Sequence, residues 1–195
     1  VGAARQIVFG VAVSLAAMAA MGLVYLRATG LSARGEPAGV EAAMARRARS
    51  FAIPSSARAR SNPVPPSSEA LADGMAHYAD HCAVCHANDG TGKTEMGQGL
   101  FPKAPDMRLA ATQQLTDGEL FYVIENGIRF TGMPAWSTGT PSGEDSTWRI
   151  VHFIRHLPQL TADEVETMKQ LNPRSPEEIR HEIEEERFLN EGAQR

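Results

Sequence analysis

The sequence predicts an all-α chain, on three observations. Ile7 to Leu26 is a run of 20 residues without a charge. From Ser67 onward, helix-start signatures recur, each followed by apolar residues at helical spacing. No stretch sustains the apolar/polar alternation of a strand, and no internal repeat is evident. At 195 residues the chain has room for one ordinary domain plus appendages, and its composition is neither disordered nor collagen-like.

The uncharged run would span about 30 Å as a helix, the thickness of a bilayer's hydrocarbon core, so residues 1–27 are expected to be a transmembrane anchor. Ala17-Met18-Ala19 offers the small-x-small pattern of a signal-peptidase site. The run is longer than the 7–15 residues usual in a cleavable signal, which favours an anchor. Residues 28–66 are expected to be a linker. Within it Val40, Met44, Ala48 and Phe51 fall on one side of a short amphipathic helix, and Pro54 to Ser68, with four prolines and five serines, reads as an extended tether.

Residues 67–159 read as the main domain. Ser67 or Ser68 caps a helix with Glu69 in its first turn and Leu71, Met75, Tyr78 and Cys82 along one face. Thr116 to Glu119 is a capping box opening a helix through Leu120, Phe121, Val123 and Ile124, with Gly127 at its end. Ser142 to Asp145 starts another that carries Trp148, Val151, Ile154 and Leu157 and stops at Pro158. Residues 160–195 read as a charged helical extension. Thr161-x-x-Glu164 opens a helix ending before Pro173, and Ser175 to Glu178 opens a last one with Ile179, Ile183 and Phe188 but no broad apolar stripe.

Charge divides the chain into zones. Residues 27–66 carry seven Arg against Glu36 and Glu41, whereas 67–159 and 160–195 each carry a net −5. An acidic domain that orients partners and a basic linker close to anionic lipid would follow; neither sign suits a nucleic-acid binder.

The two cysteines of the chain occur together in Cys82-Ala83-Val84-Cys85-His86, a C-x-x-C-H sequence. Two thiols one helical turn apart can each add to a vinyl group of one porphyrin, and the next residue puts an imidazole under the iron, so one covalent haem c is expected. A thioredoxin-like redox pair wants a preceding strand and a βαβ context, a zinc site wants four ligands, and a disulfide across two residues would close too small a loop to stabilise much. None of these rivals finds its context here.

Residues 67–158 resemble the class I cytochromes c, the small His/Met-ligated electron carriers. Gly74-x-x-x-Tyr78-x-x-x-Cys82 is similar to the family's N-terminal helix, where a glycine lets the C-terminal helix cross closely, and Trp148 to Leu157 is similar to that partner helix. Asn126 to Trp136 resembles the family's ligand loop, in which Gly-Met-Pro presents a thioether, so the resemblance implies His86 and Met133 as axial iron ligands. Met75, Met96 and Met107 are expected in packing roles, and a bis-histidine site using His77, His81, His152 or His156 is the competing ligand set. The resemblance further implies that a proline carbonyl supports the ligating histidine, with Pro105 in that position and Pro102 as competitor. Trp136 would reach a haem propionate, pack on the ring edge, or do neither.

The fold so implied is a class I cytochrome c around a covalent haem, with one N-terminal transmembrane helix and a helical C-terminal extension. The implied role is an electron carrier rather than an enzyme, a tethered shuttle or a fixed haem subunit. It would exchange electrons with respiratory or photosynthetic redox proteins from the periplasmic side of a bacterial inner membrane. Arg27 and Arg34 after the span outnumber Arg5 before it, which by charge bias alone would keep the bulk of the chain in the cytoplasm. The site of haem attachment outweighs a bias of one or two residues. Two rivals remain: a haem enzyme or small-ligand sensor with Met133 off the iron, and a mainly structural subunit of a membrane complex.

Overall fold

The computed structural model describes residues 2–175 and, beyond them, 178, 180, 181, 183–185, 187 and 188. Among these the chain is helical, without strands. It divides into two compact units, residues 1–35 and 36–195.

The first unit is α1 (Gly2–Thr29), 28 residues and so about 42 Å long. It carries no acidic residue in its first turn and buries no side chain. The Ser14 and Thr29 hydroxyls donate back to the Gly10 and Tyr25 carbonyls, at 2.9 and 2.8 Å, so these polar groups are satisfied within the helix. By length and composition α1 can cross a membrane.

The second unit begins with α2 (Gly39–Ala52) and the single turn α3 (Ser55–Arg58). The apolar stripe expected along α2 is there, but Val40, Met44 and Phe51 face solvent. The stretch after it departs from the expected tether. Ile53 is buried, and a Cβ on Gly118 would run into the Ala57 carbonyl, so this segment lies directly against the helix that begins at Asp117. Its polar residues find distant partners. Arg58 pairs with the buried Glu119 (2.9 Å) and Arg60 with Glu144 (3.0 Å). Asn62 donates to the Trp148 carbonyl (2.9 Å), and a His152 ring nitrogen meets the Val64 carbonyl (2.8 Å). The Arg60 guanidinium also sits 4.2 Å from the Phe121 ring centre. A proline- and serine-rich composition leaves little to bury, yet hydrogen bonds and ion pairs strap this one down.

The helices that follow are α4 (Ser68–His77), a π-helical turn (Tyr78–Cys82), α5 (Ala83–His86), α6 (Glu95–Gly99), α7 (Ala110–Gln113), α8 (Asp117–Asn126), α9 (Pro141–His156), a 3-10 turn (Leu157–Gln159) and α10 (Ala162–Leu171). Ser67 caps α4, and Thr116–Glu119 and Thr161–Glu164 form complete capping boxes on α8 and α10. The start of α9 differs from expectation. Thr140 rather than a serine caps it, with Pro141 at the first helical position, where a missing N–H costs nothing.

α4 and α9 cross with backbones in contact: a Cβ on Gly74 would run into the Arg149 carbonyl. Around this crossing Tyr78, Trp148, Val151, Phe153 and Leu157 are wholly or almost wholly buried. The Phe121 and Trp148 rings stack at 4.1 Å and Tyr78 tilts against Phe153 at 4.9 Å. Met107 belongs to this core and Met75 packs at its edge, as expected, but Met96 is exposed.

The beginning of the C-terminal extension also joins the core. Met168 of α10 is fully buried, His156 meets Glu164 at 2.8 Å, and the Asn172 amide, oriented with its nitrogen toward acceptors, bonds Asn88 (2.9 Å) and the Ala79 carbonyl (3.1 Å). The box opening the last expected helix is formed: Ser175 N–H donates to the Glu178 carboxylate at 2.6 Å, and Glu178 N–H to the Ser175 hydroxyl at 3.2 Å. Ile179 lies outside the described residues; Ile183 and Phe188 are exposed.

Candidate cofactor site

The site is built on the turn from Cys82 to His86. A π-helical turn precedes it, a local widening of the helix that recurs at functional sites. α5 then ends at Ala87, held at φ +61, with the chain reversing through Gly90 and Gly92, both at positive φ. The carbonyls that the helix end leaves open are answered by side chains. Tyr78 Oη donates to Ala87 O (3.0 Å), and Thr94 Oγ1 lies 2.8 Å from Val84 O and 3.2 Å from Cys85 O while accepting from Gly97 N–H. Gly97 sits so close to the Cys85 carbonyl that a Cβ would overlap it. Burial pushes the Tyr78 phenol well above its ordinary range, which keeps it a donor.

This fold-back delivers Pro105 to His86. Gly92 N–H donates to His86 O (2.8 Å), Met107 N–H to Gly90 O (2.8 Å), and Ala104 N–H to Gly97 O (3.0 Å). A Cβ on Gly92 would crowd the carbonyls of Ala104 and Pro105. Burial lowers the pKa of His86, and a hydrogen bond to the Pro105 carbonyl partly opposes that shift. His86 Nδ1 is enclosed and lacks a hydrogen bond of good geometry. An unsatisfied buried N–H costs about 1–3 kcal/mol, and the Pro105 carbonyl is the acceptor at hand for it. The result is a neutral imidazole whose second nitrogen is available to a metal.

Cys82 and Cys85 are unpaired. Burial, reinforced by Cys85, pushes the Cys82 thiol up to about 12, and burial raises Cys85 as well. Both are neutral thiols rather than metal-ready thiolates. Among the described residues, no three of His, Cys, Asp and Glu are grouped to hold an ion on their own. Two neutral thiols and an imidazole on consecutive turns, with an enclosed ring nitrogen beside a proline carbonyl, fit a thioether-bound haem with a histidine ligand.

The second half of the site is the loop from Gly127 to Trp136. Gly127 (φ +66) ends α8 at a point where a Cβ would be 2.7 Å from Met133 O, so glycine is required. Ile128 N–H donates to Met133 O (3.1 Å), and Met133 N–H donates to Thr131 Oγ1 (3.1 Å). Trp136 N–H and Ser137 N–H return to the Ile124 and Glu125 carbonyls of α8, at 3.0 and 3.2 Å. Gly132 abuts Leu100. Met133 itself is half-buried at the tip of this closed loop.

Three of the competing histidines have partners of their own. His152 is engaged with Val64 and His156 with Glu164. His81 stacks on Trp136, ring centres 5.2 Å apart and planes 4° from parallel. That partnership was not legible locally, since it joins residues 55 positions apart in the chain.

No curated protein matches the chain. Residues 69–154 match the sequence family described as cytochrome C oxidase, cbb3-type, subunit III. With the α4–α9 crossing, the C-x-x-C-H turn and the Gly-Met-Pro loop in place, residues 69–154 form a cytochrome c domain similar to that family and class I-like in fold, which supports a c-type electron carrier.

Proposed function

We propose that this chain is a membrane-anchored monohaem cytochrome c that passes single electrons between membrane-associated redox proteins. Cys82 and Cys85 would hold the haem through thioethers, His86 and Met133 would ligate its iron, Pro105 would orient His86, and α1 would hold the chain in a bacterial inner membrane with the domain on the periplasmic side. The observation that carries this reading is the Cys82–His86 turn, with two neutral thiols and an imidazole supported by Pro105.

The haem supplies a reversible one-electron couple at its iron. The chain's own residues set that couple and limit access to it. The Met133 thioether paired with the His86 imidazole would favour a higher reduction potential than two imidazoles. With both His86 and Met133 as ligands no position on the iron would be left for a substrate, which favours electron transfer over an enzyme or a sensor.

The surface beside the motif is suited to brief encounters. A cavity of about 580 Å³ lined by Val84, Met96 and Leu100 opens next to Cys85, and Phe130 is almost fully exposed in the ligand loop. Small, partly apolar contacts of this kind suit transient redox partners. The exposed arginines and apolar stripe of α2, nine residues after α1, are consistent with a segment lying close to anionic lipid.

Rapid mixing of the reduced, full-length protein with carbon monoxide tests the assignment. A carrier with Met133 on the iron binds the gas slowly or not at all. Fast, complete binding would make the chain a ligand-binding haem protein instead.

A further inference from the structure

The two halves of the site come from separate parts of the chain: the attachment turn ends a helix that began at Ser68, and the ligand loop leaves α8. Hydrogen bonds tie the loop to α8, through Gly127, Trp136 and Ser137, and Leu100 braces Gly132. None of these ties reaches the attachment turn. Among the described residues the ring contact that does is His81 on Trp136. The imidazole precedes Cys82 directly, and the indole follows Met133 by three positions.

We propose that His81 and Trp136 form a clasp that pins the Met133 loop against the haem-attachment turn and so holds the methionine sulfur on the iron. The inference rests on the Met133 reading and adds two positioning residues to it. Three features of the contact suit the role. The rings are nearly parallel, 4° apart, at a centroid distance within stacking range. The His81 ring is itself oriented by Asp80, whose carboxylate lies 3.0 Å from Nδ1. Trp136 cannot drift with its side chain alone, because its backbone N–H is bonded to Ile124 O. A loop fastened to α8 at both ends can still tilt as a unit, and the clasp opposes that tilt at the end nearest the cysteines.

Neither ring is buried, since the His81 side chain is 44% exposed and Trp136 38%. Core packing therefore does not explain the pair, and a change at His81 leaves the fold intact. The clasp's contribution is that of one aromatic stack, which shifts the loop's open population about twofold to tenfold. An external ligand that competes with Met133 reads that population directly, because its affinity scales with the fraction of open loop.

The test is titration of the oxidised full-length holoprotein with imidazole, for wild type, His81→Ala, Trp136→Ala, the double variant and His81→Phe. Imidazole is expected to bind about twofold to tenfold more tightly to each single alanine variant, with no further gain in the double variant and a return toward wild type in His81→Phe. The weak far-red iron–sulfur band should fall in step. Unchanged imidazole affinity in His81→Ala, with that band present in wild type, overturns the clasp alone. Absence of the band from wild type overturns the Met133 reading and the clasp with it.

Discussion

Replacing Gly74 by alanine sets two known effects against each other, and the structure decides the sign. In the interior of α4, Gly→Ala raises intrinsic helix stability by about 1 kcal/mol. The added methyl, however, would overlap the Arg149 carbonyl oxygen and lie 2.6 Å from its carbon and 3.2 Å from Ile150 N, all backbone of α9. Carbon atoms in contact prefer about 3.5–4.0 Å, so relief requires α9 to retreat by about 1 Å. α9 carries Trp148 and Phe153, both buried against the crossing, so their packing would open with it. Overpacking against backbone costs about 1–3 kcal/mol, and the opened aromatic contacts add to that. The net loss is about 2 kcal/mol, lowering the thermal midpoint of a unit of this size by about 4–8 °C. Far-ultraviolet circular dichroism of the holoprotein during heating reads this. Gly99→Ala, where a Cβ meets nothing within 4 Å, is the control and should leave the midpoint close to wild type. A Gly74→Ala midpoint at or above wild type would refute the close-crossing argument, because propensity alone would then have decided.

Two further predictions concern segments packed around the site. Asn62→Ala removes the bonds to Trp148 O and Val64 N–H and should cost about 1–2 kcal/mol in urea unfolding; no loss would mean the strap is not held. Glu164 has its pKa lowered, first by the Thr161 backbone N–H and then by the Thr161 hydroxyl and His156. A depressed carboxylate contributes stability above its ordinary pKa, and that contribution is lost as pH falls through the folded value. Glu164→Gln should therefore be less stable than wild type at neutral pH and converge with it in acid; parallel stability curves across that range would contradict the pairing.

What was readable in the sequence were features complete within a few residues. The capping boxes at Thr116 and Thr161 and the C-x-x-C-H turn are defined by spacing alone, and the structure forms both boxes as written. The resemblance added Gly74, whose crossing with α9 is present. What escaped were contacts made across the chain. Composition around Pro54 to Ser68 signalled a tether because local apolar content is low, but Arg58, Arg60 and Asn62 are held by Glu119, Glu144 and Trp148, which no local pattern reveals. Met168 is one apolar residue in a charged segment, yet α10 folds back and buries it. The sequence offers His81 as a rival ligand, and its stacking on Trp136 depends on a loop 55 residues away. Likewise Met96, expected to pack, is exposed because α6 is braced through Gly97 against the motif rather than through its side chain.

The central claim is that Cys82 and Cys85 hold one haem covalently while His86 binds its iron. Intact-mass spectrometry of the protein produced with a functioning haem-attachment system, and denatured before measurement, tests it most directly. The wild-type polypeptide should carry the added mass of one haem, and Cys82→Ser, Cys85→Ser should carry none and lose helical content. A wild-type chain at its bare polypeptide mass would contradict the account.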